Sequence, residues 1–270
     1  MRKRISLSLP DKMIKSVDAY AEALSDTRSG AIESILQEYM NAGRYCVILA
    51  GGGDYLITDG EYRPFMDIGG RTLIQRIVEK VVGQSYKNII IIGTKEVVTR
   101  CFGILANGES LGCSVAYIEE KARGDSANTL KLASAKVKGT FLFVPCDHYF
   151  DFDLRKLEKV HRRSGYPATL AIYGGIRHDG NRSSVVELDG NDIINYWDTP
   201  SVEKTTLVST MIAFAEPEIF TMIPDRKFSL HKDLFPELSK KGVLGGAILS
   251  GKFVNIHTKQ DAEAARRLVK

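Results

Sequence analysis

Only four cysteines stand in this 270-residue chain, Cys46, Cys101, Cys113 and Cys146, and no two share CxxC spacing. Each lies in or beside an apolar run, so they read as buried thiols, not zinc ligands or disulfides, which suits a reducing cytoplasm. No apolar stretch is long enough to span a bilayer, and Met1-Arg2-Lys3-Arg4 leads into an alternating segment instead of a signal-peptide core, so no membrane is expected. An excess of one charge is also missing. A net charge of +4, from 37 Lys and Arg against 33 Asp and Glu, permits nucleic acid without arguing for it. The single tryptophan, Trp197, reads as packing beside a hairpin. At 44% hydrophobic and 26% charged, the chain has room for one large domain and one small one.

The first nine residues alternate strictly. Ile5, Leu7 and Leu9 share one face, and Arg4, Ser6 and Ser8 the other, which predicts an amphipathic strand. Pro10-Asp11 then suits a first helical turn, and two helical patterns follow. Ile14, Val17, Ala21 and Leu24 carry the first, and Ile32, Ile35, Leu36 and Tyr39 the second. Ser25-Asp26-Thr27 separates them and supplies a cap. Forty residues cannot bury a core alone, so a second copy is expected.

Over Arg2 to about Met40 this order resembles the ribbon-helix-helix family of DNA-binding regulators. The resemblance implies a homodimer, or a higher even oligomer, whose paired strands enter the major groove of double-stranded DNA. Arg2, Arg4, Ser6 and Ser8 would then face bases, while Thr27, Arg28 and Ser29 would hold phosphate at a helix N-terminus. Only the Arg2-Lys3-Arg4 tip is clearly basic, so non-specific affinity is expected to be modest.

Gly43 is a plausible helix stop, and a new pattern starts immediately after it, giving domains over 1–43 and 44–270. Short aliphatic runs at Tyr45–Ala50, Asn88–Gly93, Ser114–Ile118, Thr140–Pro145 and Ala168–Tyr173 read as buried strands. Helical patterns at Thr72–Gln84, Lys95–Ala106, Ser126–Val137 and Leu154–Ser164 lie between them. Ser184–Trp197 reads as a hairpin through Asp189-Gly190. Such alternation predicts a sheet covered by helices, with ligands at the carboxyl ends of its strands.

Leu49-Ala50-Gly51-Gly52-Gly53 follows the first of these strands, and its glycines let backbone amides approach a phosphate or base. Arg63-Pro64-Phe65-Met66-Asp67-Ile68-Gly69-Gly70-Arg71-Thr72 then resembles the second half of the sugar-nucleotidyltransferase motif. Glu119 to Ala127 is similar to that family's nucleobase-pocket segment, and Val144-Pro145-Cys146-Asp147-His148 to its metal-binding strand end. Phe228–Leu238 and Gly251–Thr258 are similar to its closing segments. The fold class expected is therefore α/β. A ribbon-helix-helix domain precedes a Rossmann-like nucleotidyltransferase (GT-A type) mixed sheet with helices on both faces.

The resemblance implies attack of a sugar-1-phosphate on a nucleoside triphosphate, with positive groups and carboxylate-held Mg²⁺ doing most of the work. Several of those groups are changed. Gly53-Asp54-Tyr55-Leu56 stands in place of Gly-Thr-Arg, Arg63 replaces a lysine, Asp198-Thr199-Pro200 matches Glu-Lys-Pro, and the second metal position falls on Asn255. Asp147 is retained. The ligand-binding candidates are Ala50, Gly51, Gly52, Gly53, Arg63, Glu119, Gly124, Asp147 and Asp198; the metal candidates are Asp147 and the amide Asn255. No residue is assigned a catalytic role, and Mg²⁺ is the one cofactor expected if the site is active. These losses favour a transcription regulator that senses a nucleotide, sugar nucleotide or sugar phosphate. The alternative is an active sugar-1-phosphate nucleotidyltransferase.

Overall fold

The computed structural model describes residues 5–23, 26–41, 44–52, 57–58, 60–121, 124–174, 183–202 and 204–269, with backbone alone over 37–41. The chain divides into two compact units, Met1–Gly43 and Arg44–Lys270.

In the smaller unit, α1 (Asp11–Ala23) and α2 (Arg28–Asn41) pack through Val17, Ala21 and Ala31, with Tyr20 and Ile32 beside them. Thr27 caps α2, its hydroxyl accepting the Gly30 amide at 3.1 Å. A Cβ at Gly30 would meet the exposed Asp26 carboxylate within 2.5 Å, so a larger residue there would displace that side chain. The strand expected at the start of the chain is not formed: residues 5–9 lie in neither helix nor strand. A strand exists through the ladder it shares, and no described segment of this unit offers a second edge. Ile5 and Leu7 are accordingly exposed.

The larger unit holds thirteen strands among its described residues. In chain order they are β1 (Tyr45–Ala50), β2 (Ile57–Thr58), β3 (Glu61–Tyr62), β4 (Asn88–Gly93), β5 (Ser114–Glu119), β6 (Phe141–Pro145), β7 (His148–Phe150), β8 (Ala168–Gly174), β9 (Val185–Asp189), β10 (Asp192–Trp197), β11 (Leu207–Ala215), β12 (Leu244–Ile248) and β13 (Phe253–Asn255). The helices are α3 (Leu73–Val82), α4 (Lys95–Leu105), α5 (Ser126–Lys131), α6 (Leu154–Ser164), α7 (Phe235–Lys240) and α8 (Lys259–Val269). Nine strands form one mixed sheet in the order β5-β4-β1-β6-β11-β8-β12-β10-β9.

Alternation along each strand assigns side chains to two cores. In β4, Ile89 and Ile91 join Leu73, Ile74 and Ile77 of α3, whereas Ile90 and Ile92 join Ala127 and Leu130 of α5. A run of four isoleucines is what a strand covered on both faces requires. Thr72 and Gln75 form a capping box that starts α3 immediately after the Gly69-Gly70 turn. The helix expected over 126–137 stops at Lys131 and continues as tighter turns, with Ser134 and Lys136 bonded three residues back.

Strand order places the site. β1 is flanked on one side by β4 and on the other by β6, all parallel, so the chain reverses its direction of travel across the sheet between β1 and β6. In a sheet of this kind the loops leaving the carboxyl ends of two such strands diverge, and ligands bind in the crevice between them. Gly51-Gly52 leave one, and Cys146-Asp147 leave the other. Among the described residues no helix is long and apolar enough to cross a membrane.

Candidate active site

Two clusters line this edge of the sheet. The first surrounds the end of β1. Glu120, just beyond β5, accepts the Gly52 amide at 3.3 Å through one carboxylate oxygen. Its other oxygen accepts the Thr129 hydroxyl from α5 at 2.6 Å. Gly51 lies against this pair: a Cβ there would meet Glu120 Oε2 and Thr129 Oγ1, each at 2.6 Å. Gly124 is equally confined, with a Cβ landing 2.5 Å from that of Asn128. Asn128 fixes the segment by accepting the amides of Asp125 at 3.1 Å and Phe228 at 2.8 Å.

The second cluster gathers at the ends of β6 and β13. Arg63 Nη1 donates to Asp147 Oδ2 at 3.1 Å and lies 3.1 Å from His257 Nδ1. Arg63 Nε donates to Thr58 Oγ1 at 2.9 Å, and that hydroxyl donates to the His257 carbonyl, also at 2.9 Å. Arg63 and Asp147 are each 14% exposed, so this ion pair is largely withdrawn from water. The β7–β13 ribbon sets Asn255 opposite His148, and the Ile256 amide bonds the Asp147 carbonyl at 2.9 Å. His148 is buried with Nε2 3.6 Å from Asp147 Oδ1. Burial pushes its pKa below the ordinary value, although the Asp147 charge pulls the other way. The Asn255 Oδ1 atom is buried with no hydrogen bond of ordinary geometry to a described residue.

Beside this cluster β11 is broken by a bulge between Ser209 and Ala213, where Met211 takes φ +58°. Register places the bulge next to the carboxyl end of β6, because Ala213 faces Phe143. A left-handed methionine there is held by its surroundings: the Thr210 hydroxyl bonds the Ala171 carbonyl at 2.8 Å.

The structure therefore brings Ala50, Gly51, Gly52 and Gly124 to one cluster and Arg63, Asp147 and Asn255 to the other. Glu119 ends β5 with an exposed side chain, and its neighbour Glu120 is the residue that meets the glycine loop. Asp198 stands apart, accepting from Ser184 at 2.9 Å, with no hydrogen bond joining it to either cluster among the described residues. Thr58, Glu120, Thr129, His257 and Met211 were missed in the sequence. For Glu120 the signal existed. It is in step with Ala116 and Ile118, which pack on the α5 side, whereas Glu119 is in step with Val115 and Tyr117 on the other. Met211 left none, since Leu207–Ala215 reads as an unbroken strand.

Of the candidates for base and phosphate contact in the smaller unit, Arg2 and Arg4 lie outside the described residues, as does Gly53 of the glycine loop. Ser6, Ser8 and Ser29 are exposed. Arg28 is engaged within its own unit, with Nε 2.5 Å and Nη2 2.7 Å from the two Asp18 oxygens. The Thr27 hydroxyl is spent on its cap.

Comparison with known proteins bears on the two readings of the chain. A bifunctional GlmU protein of Methanococcus aeolicus is 23% identical over 78% of this chain and 50% of its own length. A mannose-1-phosphate guanylyltransferase catalytic subunit beta of Drosophila melanogaster is 20% identical over 82% of the chain and 61% of its own. The chain thus spans about half to three-fifths of these curated relatives. Among solved structures, a protein described as a glucose-1-phosphate thymidylyltransferase, from Bacillus anthracis and in complex with sucrose, superposes with a TM-score of 0.74 at 23% identity. It covers 84% of this chain and 95% of that one.

These findings overturn the regulator reading. Two of these proteins are named for transfer of a nucleotide to a sugar-1-phosphate, and none of them gives support to DNA as a partner, to transcription regulation as a role or to a ribbon-helix-helix domain at the start of the chain. The changes around Gly51–Gly53, Arg63 and Asp147 that favour a sensor in the sequence stand on a fold that the family shares over most of the chain. Residues 45–251, most of the chain, match the profile of the Nucleotidyl transferase family, and the chain belongs to that family.

Proposed function

We propose that the larger unit is a sugar-1-phosphate nucleotidyltransferase. One phosphate oxygen of the sugar phosphate attacks the α-phosphorus of a nucleoside triphosphate, the bond from that phosphorus to the bridging oxygen breaks, and pyrophosphate leaves. The observation that carries this reading is the fixed Arg63 guanidinium beside Asp147, across the β1/β6 crevice from the Gly51-Gly52 backbone, on a fold of this family. Such chemistry is governed by positioning and by stabilising negative charge at phosphate oxygens. Arg63 suits the second task because Thr58 and His257 hold its plane before any ligand arrives. The glycine loop suits the first, since the lack of a Cβ at Gly51 lets the backbone close against Glu120 and Thr129, which fix its course.

The assignment of Ala50, Gly51, Gly52, Arg63, Gly124 and Asp147 to the ligand is part of the proposal. Mannose-1-phosphate and glucose-1-phosphate, which the relatives' names carry, are the first substrates to try. Each is paired with the four common nucleoside triphosphates, with and without Mg²⁺, and pyrophosphate release and nucleotide-sugar formation are followed together. Formation of a nucleotide sugar in step with pyrophosphate is the expected result. Absence of both products across the whole panel refutes the assignment.

A further inference from the structure

We propose that the Arg63 guanidinium is the built-in cation of this site, so that the domain takes phosphate groups without a divalent metal. Nucleotidyltransferases of this family commonly use Mg²⁺. The residues here do not fit that ion. Among the described residues no three His, Cys, Asp or Glu side chains cluster closely enough to hold a metal. Of the two expected ligands only Asp147 is charged, and its Oδ2 already accepts from Arg63. The other, Asn255, offers a neutral carbonyl oxygen. Carboxylate and guanidinium cancel, leaving a cluster with no net charge, whereas a hard dication is bound chiefly by anionic oxygen.

Arg63 itself is built to take over. Nε and Nη1 are committed to Thr58, Asp147 and His257, so the side chain cannot swing away as a surface arginine does. Nη2 has no hydrogen bond to any described residue, so its two N–H groups are left to donate to phosphate oxygens. The buried Asn255 side chain lies opposite His148 on the ribbon and brings no negative charge to the cluster. A protein cation fixed before binding also avoids the dehydration that Mg²⁺ resists.

The inference deepens the assignment above but is tested by binding, so that a failure of turnover and a failure of this proposal are separate results. The full chain is titrated with Mn²⁺ alone, read by water-proton relaxation, and with inorganic pyrophosphate in EDTA or in Mg²⁺, read by calorimetry. The parent chain is expected to leave the Mn²⁺ signal at the blank and to bind pyrophosphate equally, within about twofold, in both buffers. Asn255→Asp makes the cluster negative and should gain a Mn²⁺ site. Arg63→Met should lose metal-free pyrophosphate binding by about tenfold or more, and Arg63→Lys should recover part of it. Circular dichroism checks that each variant is folded; the parent and Asn255→Asp measurements decide the matter if Arg63→Met is not. A stoichiometric Mn²⁺ site in the parent overturns the proposal. So does pyrophosphate binding that needs Mg²⁺ or is absent in EDTA, or an Asn255→Asp chain as blank to Mn²⁺ as the parent.

Discussion

The two clusters at the carboxyl edge of the sheet solve the same physical problem in opposite ways. Around Gly51 the chain removes side chains: Glu120 and Thr129 occupy the only space a Cβ could take, and bare backbone is left facing the crevice. Around Arg63 the chain adds a large side chain and immobilises it, so that a positive charge stands here, where the other cluster has backbone amides and the Glu120 carboxylate. An amide loop tolerates little volume but costs nothing in desolvated charge. A buried ion pair tolerates substitution poorly because each partner depends on the other. The first cluster should therefore fail by crowding, and the second by losing its charge balance.

The largest effect is expected at Asp147. Asp147→Ala leaves the Arg63 guanidinium buried without its carboxylate, a change that commonly costs about 3 kcal/mol or more of stability. Turnover should fall by a factor of about 10² to 10³, the usual scale for losing a charge-positioning group at a phosphate or oxyanion. Denaturant unfolding and pyrophosphate release measure the two. If stability holds while activity vanishes, the pair is not a structural unit, and the contrast with the glycine cluster weakens.

Gly51→Ala comes next and should act through volume. Thr129 Oγ1 and Cγ2 and the Glu120 carboxylate would all stand within 3 Å of the new methyl group. Overpacking of this kind costs about 1–3 kcal/mol, and the displaced loop should raise KM for the triphosphate more than it lowers kcat. A fall in kcat with KM unchanged would mean that the loop touches the reacting groups and not merely the bound nucleotide.

How much of this was readable in the sequence follows from the range of each interaction. The central strands and the helices of the larger unit were legible because each buries a face of its own, and that face is written as periodicity, as in Asn88–Gly93 and Leu154–Ser164. Arg63 and Asp147 were legible as separate motif residues, but not as a pair, since 84 residues separate them. Thr58 and His257 were invisible for the same reason, their contact spanning 199 positions. The start of the chain misled for the opposite reason. Alternation over nine residues gives a pattern for a strand but cannot supply the neighbour that makes one. Substituted motif residues misled in the functional reading, because Tyr55, Thr199 and Asn255 were counted as losses although Arg63 keeps a positive charge at the site.

Glu119 and Glu120 offer a finer test of the parity argument. Glu120→Gln keeps the shape but weakens the bonds to Thr129 and Gly52, so a loss of about 1 kcal/mol is expected. Glu119→Gln alters an exposed side chain and should stay within about 0.5 kcal/mol of the parent. Thermal melts of the two single variants side by side settle it, and equal effects would show that the two carboxylates share the loop.

The last effect lies away from both clusters, leaves pyrophosphate binding untouched and serves as their control. His161 of α6 is buried where β8 begins and β11 ends, the opposite edge of the sheet. Its Nδ1 is 2.9 Å from the Thr169 hydroxyl, and Nε2 is 3.3 Å from Glu216 Oε1. Burial pushes its pKa below the ordinary 6.5, against the opposing pull of Glu216. The imidazole is thus neutral in the folded chain at pH values where the unfolded chain has begun to bind a proton. Stability from this group is fully present above pH 6.5 and is lost as pH falls from there toward the folded-state pKa, by at most about 1.4 kcal/mol per pH unit. Urea midpoints at pH 7.5 and 5.5 should therefore diverge more for the parent than for His161→Gln, while pyrophosphate binding at pH 7.5 stays the same in both. Identical pH slopes in the two chains would remove His161 from the acid response. A variant that also lost pyrophosphate binding would show that the two edges of the sheet are energetically coupled, and the contrast between the clusters would then have to be drawn across the whole sheet.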